Sequence, residues 1–344
     1  LLNRPLDLDV PQLIVEDVLL ALGKIANLLR TRLDPVMVGI TGSNGKTTVK
    51  EMIASILRQQ SAVLATRGNY NNELGVPLSL FDLKAEHQYA VLEMGASKSG
   101  DIAYLCEIAQ PDVGLITNIG PAHLRGFGTV EGVAKAKGEI YSSLPVEGCA
   151  VINGDEAWLD LWREVNQANR VLTFGGSSGC DIRLVEDGTS AVLAIPGGEI
   201  EPRLSLPGRH NQINAAAATA VAISLGISHE NIEKGLEAVK PVPGRLNLIR
   251  TEAGWTVIDE TYNANPASLY SALQVLAQMQ VTPWLVLCDM KELVEGSRKL
   301  HREVGEAAKA MGVGRLFTTG DLSFYTAEAF GEGARHFESR DELA

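Results

Sequence analysis

The sequence predicts an α/β fold: a central, mostly parallel sheet flanked by helices and carrying a phosphate-binding loop, followed by a second, smaller Rossmann-like α/β domain. Three observations carry this prediction. From Val36 to about Gly175, short apolar runs rich in β-branched residues alternate with segments whose apolar residues recur at helical spacing, the pattern of a parallel sheet covered on both faces. The first run, VMVGIT, passes through a glycine-bearing loop ending in Gly45-Lys46-Thr47-Thr48 and enters a helix in which Val49, Ile53, Ile56 and Leu57 repeat. Beyond a Pro-Val-Pro-Gly stretch at 241–244, a second and shorter alternation follows.

The elements follow in order. Residues 1–32 read as a short strand around Gln12 to Val15 and an amphipathic helix, the remnant of an upstream domain and its linker. The central domain is expected over 33–242. Its strands are Val36 to Thr41, Ala62 to Thr66, Tyr89 to Met94, Val113 to Ile119, Ala150 to Asn153 and Val171 to Phe174. Asp181 to Leu206 alternates differently, as IRLV, AVLAI and RLSL between Asp-Gly and Gly-Gly turns, which predicts a small antiparallel excursion. Helices are expected at Asn211 to Leu225 and Asn231 to Val239. The last domain, 243–344, contains LNLIR, TVIDE, WLVLCD and RLFTTG with helices between them. It stops at RDELA in what reads as the start of another helix, so it is expected to be incomplete.

A length of 344 residues fits two domains, and 45% hydrophobic residues supply cores for both. The net charge of −12 argues against a nucleic-acid partner, which would favour a basic face. Cys106, Cys149, Cys180 and Cys288 form no ligand or redox spacing, consistent with a reduced, cytoplasmic setting. No apolar run reaches the roughly 18 residues of a membrane span. The expected state is a cytoplasmic monomer.

The chemistry begins at Thr41-Gly42-Ser43-Asn44-Gly45-Lys46-Thr47-Thr48. Glycines let backbone N–H groups turn around a polyphosphate, the new helix offers its dipole, Lys46 adds a point charge and a hydroxyl can hold Mg²⁺. The strict pattern asks for glycine five positions before Gly45, where Ile40 stands. Glu93 ends a buried strand at the same sheet edge and could hold Mg²⁺ directly or through water, or could cap the next helix. His123 follows the strand after that and could orient substrate or ligate metal. In VEGVAKAKGEIYSSL, Val133, Ile140, Tyr141 and Leu144 share a face that also holds Lys137, whereas Lys135 points away. An inward lysine must be paired, deprotonated or modified, since an unpaired buried ammonium is expensive. The polar loop TRGNYNNELGVP, with Asn71 and Asn72, sits where loops commonly contact ligands. Asn211 and Asn214 could meet a base edge or cap a helix. Asp259, Glu260 and Asp289 sit at further strand ends, each weak evidence alone.

Together these segments resemble the Mur ligase family of ATP-dependent amide ligases. TGSNGKTT, LEMGAS, TNIGPAHL, GVAKAKGEI, LPGRHNQINAAAA and VPGRLNLI occur in the family's order across nearly the whole chain. GNYNNELGVP, AKAKGEI and DETYNANPASL look most like the members that join D-alanyl-D-alanine to UDP-N-acetylmuramoyl-tripeptide in peptidoglycan precursor synthesis. The family's loop begins at Thr41, so Ile40 is no defect. The resemblance implies that Lys46 contacts the β and γ phosphates of ATP, and that Thr47 and Glu93 hold a first Mg²⁺. It implies that His123 and a carbamylated Lys137 hold a second. Asn214 with Asn211 would meet adenine, Arg245 a phosphate and Asp259 the ribose. Tyr262, Asn263 and Asn265 would line the acceptor side, with Asn71 and Asn72 also facing substrate. The family's UDP-sugar domain is largely absent from this chain, as is its C-terminal Lys-Gly-Ser segment. CDMKELVEG departs from the family pattern at Cys288 and Val294. The expected reaction is acyl-phosphate amide ligation. Alternatives are another Mur-type or folylpolyglutamate synthetase-like ligase, a P-loop phosphotransferase, or a nucleotide-binding scaffold without catalysis.

Overall fold

A computed structural model describes all residues except 122, 187–190, 280, 292, 294, 295 and 344. The chain divides into two compact units. The first comprises Leu1–Pro121, Gly126–Leu204 and Gln212–Val239; the second comprises Lys240–Ala344 with Ser205–Asn211 and residues 123–125. Residues 1–32 thus belong to the first unit. No described helix is long and apolar enough to cross a membrane.

The elements up to residue 237 are α1 (Val18–Leu33), β1 (Val36–Thr41), α2 (Lys46–Leu57), β2 (Ala62–Ala65), α3 (Gly75–Leu80), β3 (His87–Glu93), α4 (Asp101–Ala109), β4 (Val113–Ile116), α5 (Leu124–Phe127), α6 (Val130–Ser142), β5 (Cys149–Asn153), α7 (Leu159–Val165), β6 (Arg170–Gly175), β7 (Ile182–Glu186), β8 (Ala191–Ile195), β9 (Gly198–Ile200), α8 (Arg209–Ser224) and α9 (His229–Glu237). All nine strands form one sheet in the order β2-β3-β1-β4-β5-β6-β7-β8-β9. Neighbours run parallel from β2 to β7, and β8 and β9 return antiparallel. The predicted excursion therefore extends the main sheet, and RLSL at 203–206 forms no strand. Its Asp-Gly turn lies outside the described residues. In place of the predicted strand around Gln12 to Val15 there is a single bridge, Leu2 to Ile14.

The central strands are buried on both faces, as parallel strands between helix layers must be. In β1, Met37, Val38 and Ile40 are essentially inaccessible, and β3 sets Ile40 opposite Glu93 while β4 sets Thr41 opposite Ile116. The chain leaves β1 where adjacent strands diverge to either side, the place where open α/β sheets bind ligands. Close approach of α9 to α2 is possible because residue 235 is glycine: a Cβ there would lie 2.3 Å from Ile56 Cα, and Ser55 Oγ donates to Gly235 O at 2.7 Å. The strand predicted to reach Ile119 stops at Ile116, since Thr117 and Asn118 turn their side chains to Asn44 O.

The second unit contains β10 (Asn247–Arg250), β11 (Thr256–Asp259), α10 (Pro266–Gln278), β12 (Trp284–Cys288), α11 (Ser297–Ala310), β13 (Arg315–Thr319), α12 (Ser323–Phe330), β14 (Ala334–Phe337) and α13 (Arg340–Leu343). β12-β13-β14 form a parallel sheet, with Leu273, Leu287, Met290, Val304, Leu316 and Phe330 in the core beneath it. LNLIR and TVIDE form a separate antiparallel pair. Strand β14, four residues of mixed polarity, is too short to show in the sequence pattern. The loop whose pattern departs at Val294 falls partly outside the described residues.

Candidate active site

The loop after β1 is built around two glycines that no other residue could replace without strain. Gly42 has φ 145°, and a Cβ there would lie 1.9 Å from Thr117 Oγ1. Gly45, at φ 80°, caps α2 at its N-terminus, and its Cβ would meet Asn214 Oδ1 at 2.8 Å. The segment after β4 braces this loop. Ser43 and Asn44 donate their N–H groups to Asn118 O and Oδ1, both at 2.9 Å, and Thr117 Oγ1 donates to Asn44 O at 2.6 Å. Behind it, Asn153 Nδ2 donates to Thr117 O and Glu156 accepts the Ile119 N–H. Burial pushes the Glu156 carboxyl above its ordinary value. The result is a fixed loop before a helix N-terminus, the geometry that receives phosphate. Lys46 Nζ folds back over it, donating to Gly42 O at 2.8 Å and Ser43 O at 3.3 Å. The Thr41 hydroxyl is buried with no hydrogen-bond partner among the described residues.

Glu93 is 2% exposed, and both its oxygens are engaged. Thr47 Oγ1 donates to Oε2 at 2.7 Å and Asn71 Nδ2 donates to Oε1 at 2.8 Å. Its backbone N–H donates to Thr66 Oγ1, and the Thr66 carbonyl accepts from Lys50 Nζ at 2.6 Å. Lys50 is 1% exposed and also pairs with Glu51 at 2.7 Å. Lys50 and Thr66 were not singled out in the sequence. For Lys50 the signal was there: it lies four residues after Lys46 and three before Ile53, on the inward face, by the same test that marks Lys137.

Lys137 is 2% exposed on α6. That helix is locked by Tyr141, whose hydroxyl donates to Val151 O at 2.7 Å and accepts the Ile116 N–H, and by Trp162, whose Nε1 donates to Ala134 O. Burial first, and the Lys46 ammonium second, hold the Lys137 amine well below the usual lysine range. It is therefore disposed to be neutral and nucleophilic. Lys135 is exposed and pairs with Glu131 at 2.8 Å.

The first unit thus groups Thr41 to Thr48, Asn71, Glu93, Lys137 and Asn214 around one loop, each of the last four touching or acting on a residue of this set. Thr48 is half-buried in the first turn of α2, and Asn72 Oδ1 accepts the Gly75 N–H at 2.8 Å. Among the described residues no three histidine, cysteine or carboxylate side chains converge. The Thr47 hydroxyl and Glu93 carboxylate, hard oxygen donors in contact beside the loop, nevertheless fit Mg²⁺, which is commonly held by one or two carboxylates, waters and substrate phosphates.

A second group forms within the second unit. Asp259 Oδ2 accepts the Gly244 N–H at 2.9 Å, and Oδ1 accepts from the Thr261 hydroxyl at 2.6 Å. These bonds, that from Thr261 foremost, lower its pKa. Glu260 accepts the Leu246 N–H, and burial pushes its carboxyl to about 6. Arg245 stacks 4.0 Å from the Tyr262 ring centroid. Asn263 accepts from the Ala264 N–H, and Asn265 caps α10 by accepting the Ser268 N–H. Asn211 is buried and donates to Pro207 O at 2.7 Å. His123 is exposed, in the turn before α5, with φ 53°. Asp289 caps α12 through the Leu322 and Ser323 N–H groups.

Comparison with known proteins places the chain in a family. The Mur ligase middle domain matches residues 40–222, and the Mur ligase glutamate ligase domain matches 244–344. The chain belongs to the Mur ligase family. The Escherichia coli K12 UDP-N-acetylmuramoyl-tripeptide--D-alanyl-D-alanine ligase is 43% identical over 350 residues, covering all of this Mur ligase chain and 77% of that relative. A crystal structure of MurF from Acinetobacter baumannii superposes with a TM-score of 0.92 at 38% identity, covering 99% of this chain and 76% of that one. The Thermotoga maritima MurF ligase, solved in complex with ADP, gives 0.86 at 31% identity, with coverage of 99% and 79%.

Proposed function

We propose that this Mur ligase chain joins D-alanyl-D-alanine to UDP-N-acetylmuramoyl-tripeptide, with ATP converted to ADP and phosphate. Supporting this are the relatives of that name aligned over the full chain and the ADP bound by the Thermotoga relative. The observation that carries it is the meeting of Lys46, the Thr47–Glu93 pair and the buried amine of Lys137 around one phosphate-type loop.

In this reading the loop N–H groups and the α2 terminus receive the ATP phosphates. Lys46 leaves the Gly42 and Ser43 carbonyls, which hold it above the loop, and moves onto the β and γ phosphates. There it offsets charge as the tripeptide carboxylate attacks the γ-phosphoryl group and ADP leaves. The acyl phosphate is then attacked by the D-alanyl-D-alanine amine, and phosphate departs as the amide forms. No side-chain nucleophile is required. Mg²⁺, when bound by Thr47 and Glu93, with His123 and Lys137 assigned to a second ion, supplies charge neutralisation to the phosphates. Lys137 is assigned as a carbamate: its neutral amine adds CO₂ and releases a proton, which replaces a neutral amine by an anion that the Lys46 ammonium favours. Asn214 and Asn211 are assigned to adenine, Arg245 to a phosphate and Asp259 to the ribose. Tyr262, Asn263 and Asn265 are assigned to the acceptor side. The reading includes a cytoplasmic monomer.

The test supplies ATP, Mg²⁺ and UDP-N-acetylmuramoyl-tripeptide with and without D-alanyl-D-alanine, measuring ADP and, by mass spectrometry, the new amide. Amide formation that requires the dipeptide, and its loss by at least about 100-fold in Lys46→Ala, is expected. ADP release without amide, or full activity in that variant, overturns the reading.

A further inference from the structure

We infer that Asn71 is a positioning residue for the Mg²⁺–nucleotide site, holding the Glu93 carboxylate, rather than a contact for the peptide substrate. The inference rests on the reading of the loop as a Mg²⁺–nucleotide site and revises the expectation that Asn71 faces substrate. Its amide is already committed: Nδ2 donates to Glu93 Oε1 at 2.8 Å, while Thr47 occupies Oε2 at 2.7 Å. The carboxylate plane is thereby fixed with Oε2 toward α2, where Thr47 offers the second hard oxygen. A carboxylate free to rotate would present either oxygen and lose order when the Thr47 proton is no longer donated to it. Groups that hydrogen-bond a metal-binding carboxylate orient it and tune its affinity.

Asn71 is itself held in place. Its carbonyl accepts the Gly95 N–H at 2.7 Å, two residues beyond Glu93 on the same segment. A Cβ on Gly95 would lie 2.9 Å from Asn71 Oδ1 and 3.1 Å from Cγ, and its three nearest atoms all belong to the Asn71 amide. The absence of a side chain at 95 therefore leaves room for this amide. Residue 95 is outside the left-handed region, so alanine is tolerated there by the backbone. Asn71→Ala removes the donor, and Gly95→Ala displaces it without changing its chemistry.

The experiment measures ADP binding to the chain by calorimetry, first in EDTA and then across a Mg²⁺ titration, with no peptide substrate present. A substrate contact has no part in that measurement. For Asn71→Ala the Mg²⁺ concentration giving half-maximal enhancement of ADP binding is expected to rise about tenfold, with affinity in EDTA unchanged. Gly95→Ala is expected to shift in the same direction and decides the question if Asn71→Ala does not fold. An unchanged Mg²⁺ requirement overturns the inference alone; so does an equal loss of affinity in EDTA, which marks general damage to the loop. Wild-type ADP binding that ignores Mg²⁺ overturns the reading of the site and the inference with it.

Discussion

Lys46 is one of the two causes that keep Lys137 from carrying a charge. Burial and Lys46 both disfavour the Lys137 ammonium, so the native chain holds fewer protons there than the unfolded chain below the ordinary lysine value of 10.5. The neutral amine is the form that adds CO₂. Carbamate formation is accordingly expected at neutral pH and lost on acidification, as protonation returns. With ¹³C-labelled bicarbonate, NMR should show a carbamate signal that fades as pH falls and is missing in Lys137→Ala. The same variant should lose amide formation by about 10²–10³-fold. A signal that survives the substitution assigns the carbamate elsewhere.

At the scale of elements, the site depends on how closely β1, its loop and α2 are packed. Gly42→Ala places a methyl against Thr117 Oγ1 in a backbone conformation that alanine rarely adopts. Nucleotide titration should show ADP affinity lost by about tenfold or more, since the strain of ~1–3 kcal/mol falls on the loop itself. Gly235→Ala acts elsewhere. Its Cβ would meet backbone atoms of Ile56, which cannot swing aside as a side chain would. A loss of about 1–3 kcal/mol in denaturant unfolding is expected, with nucleotide affinity unchanged in the remaining folded protein. The contrast separates a glycine that shapes the phosphate loop from one that lets two helices touch.

For the whole molecule, a net charge of −12 coexists with a loop over which the Lys46 ammonium folds, so the positive charge there is local. The acidic surface also makes stability depend on pH through carboxyls whose proton affinity the fold alters. Glu260 is one, raised from 4.5 to about 6 chiefly by burial. Between those values the native chain binds more protons than the unfolded one, so its contribution to stability falls as pH rises through that window. Thermal unfolding from pH 4.5 to 6 should show this slope in the second unit reduced by Glu260→Gln, which keeps an acceptor for the Leu246 N–H. An unaltered slope would assign the titration to another group.

The sequence by itself determined most of the strands, the phosphate loop, the inward turn of Lys137 and the order of motifs that marks the family. These are local properties: backbone preference, glycine at strained angles and helical period act over a few residues. Tertiary structure decided which polar groups meet. Asn71 reaches Glu93 across 22 positions and Thr47 reaches it across 46, contacts that depend on β3 lying between β2 and β1 and are invisible to any pattern within one segment. It likewise drew β7 to β9 into the main sheet. Lys50 lies between the two cases. Its inward face was legible, but its partner, the carbonyl of Thr66, exists only where α2 packs against the end of β2. A hydrogen bond needs its partner within about 3 Å, and only the folded chain brings distant segments that close.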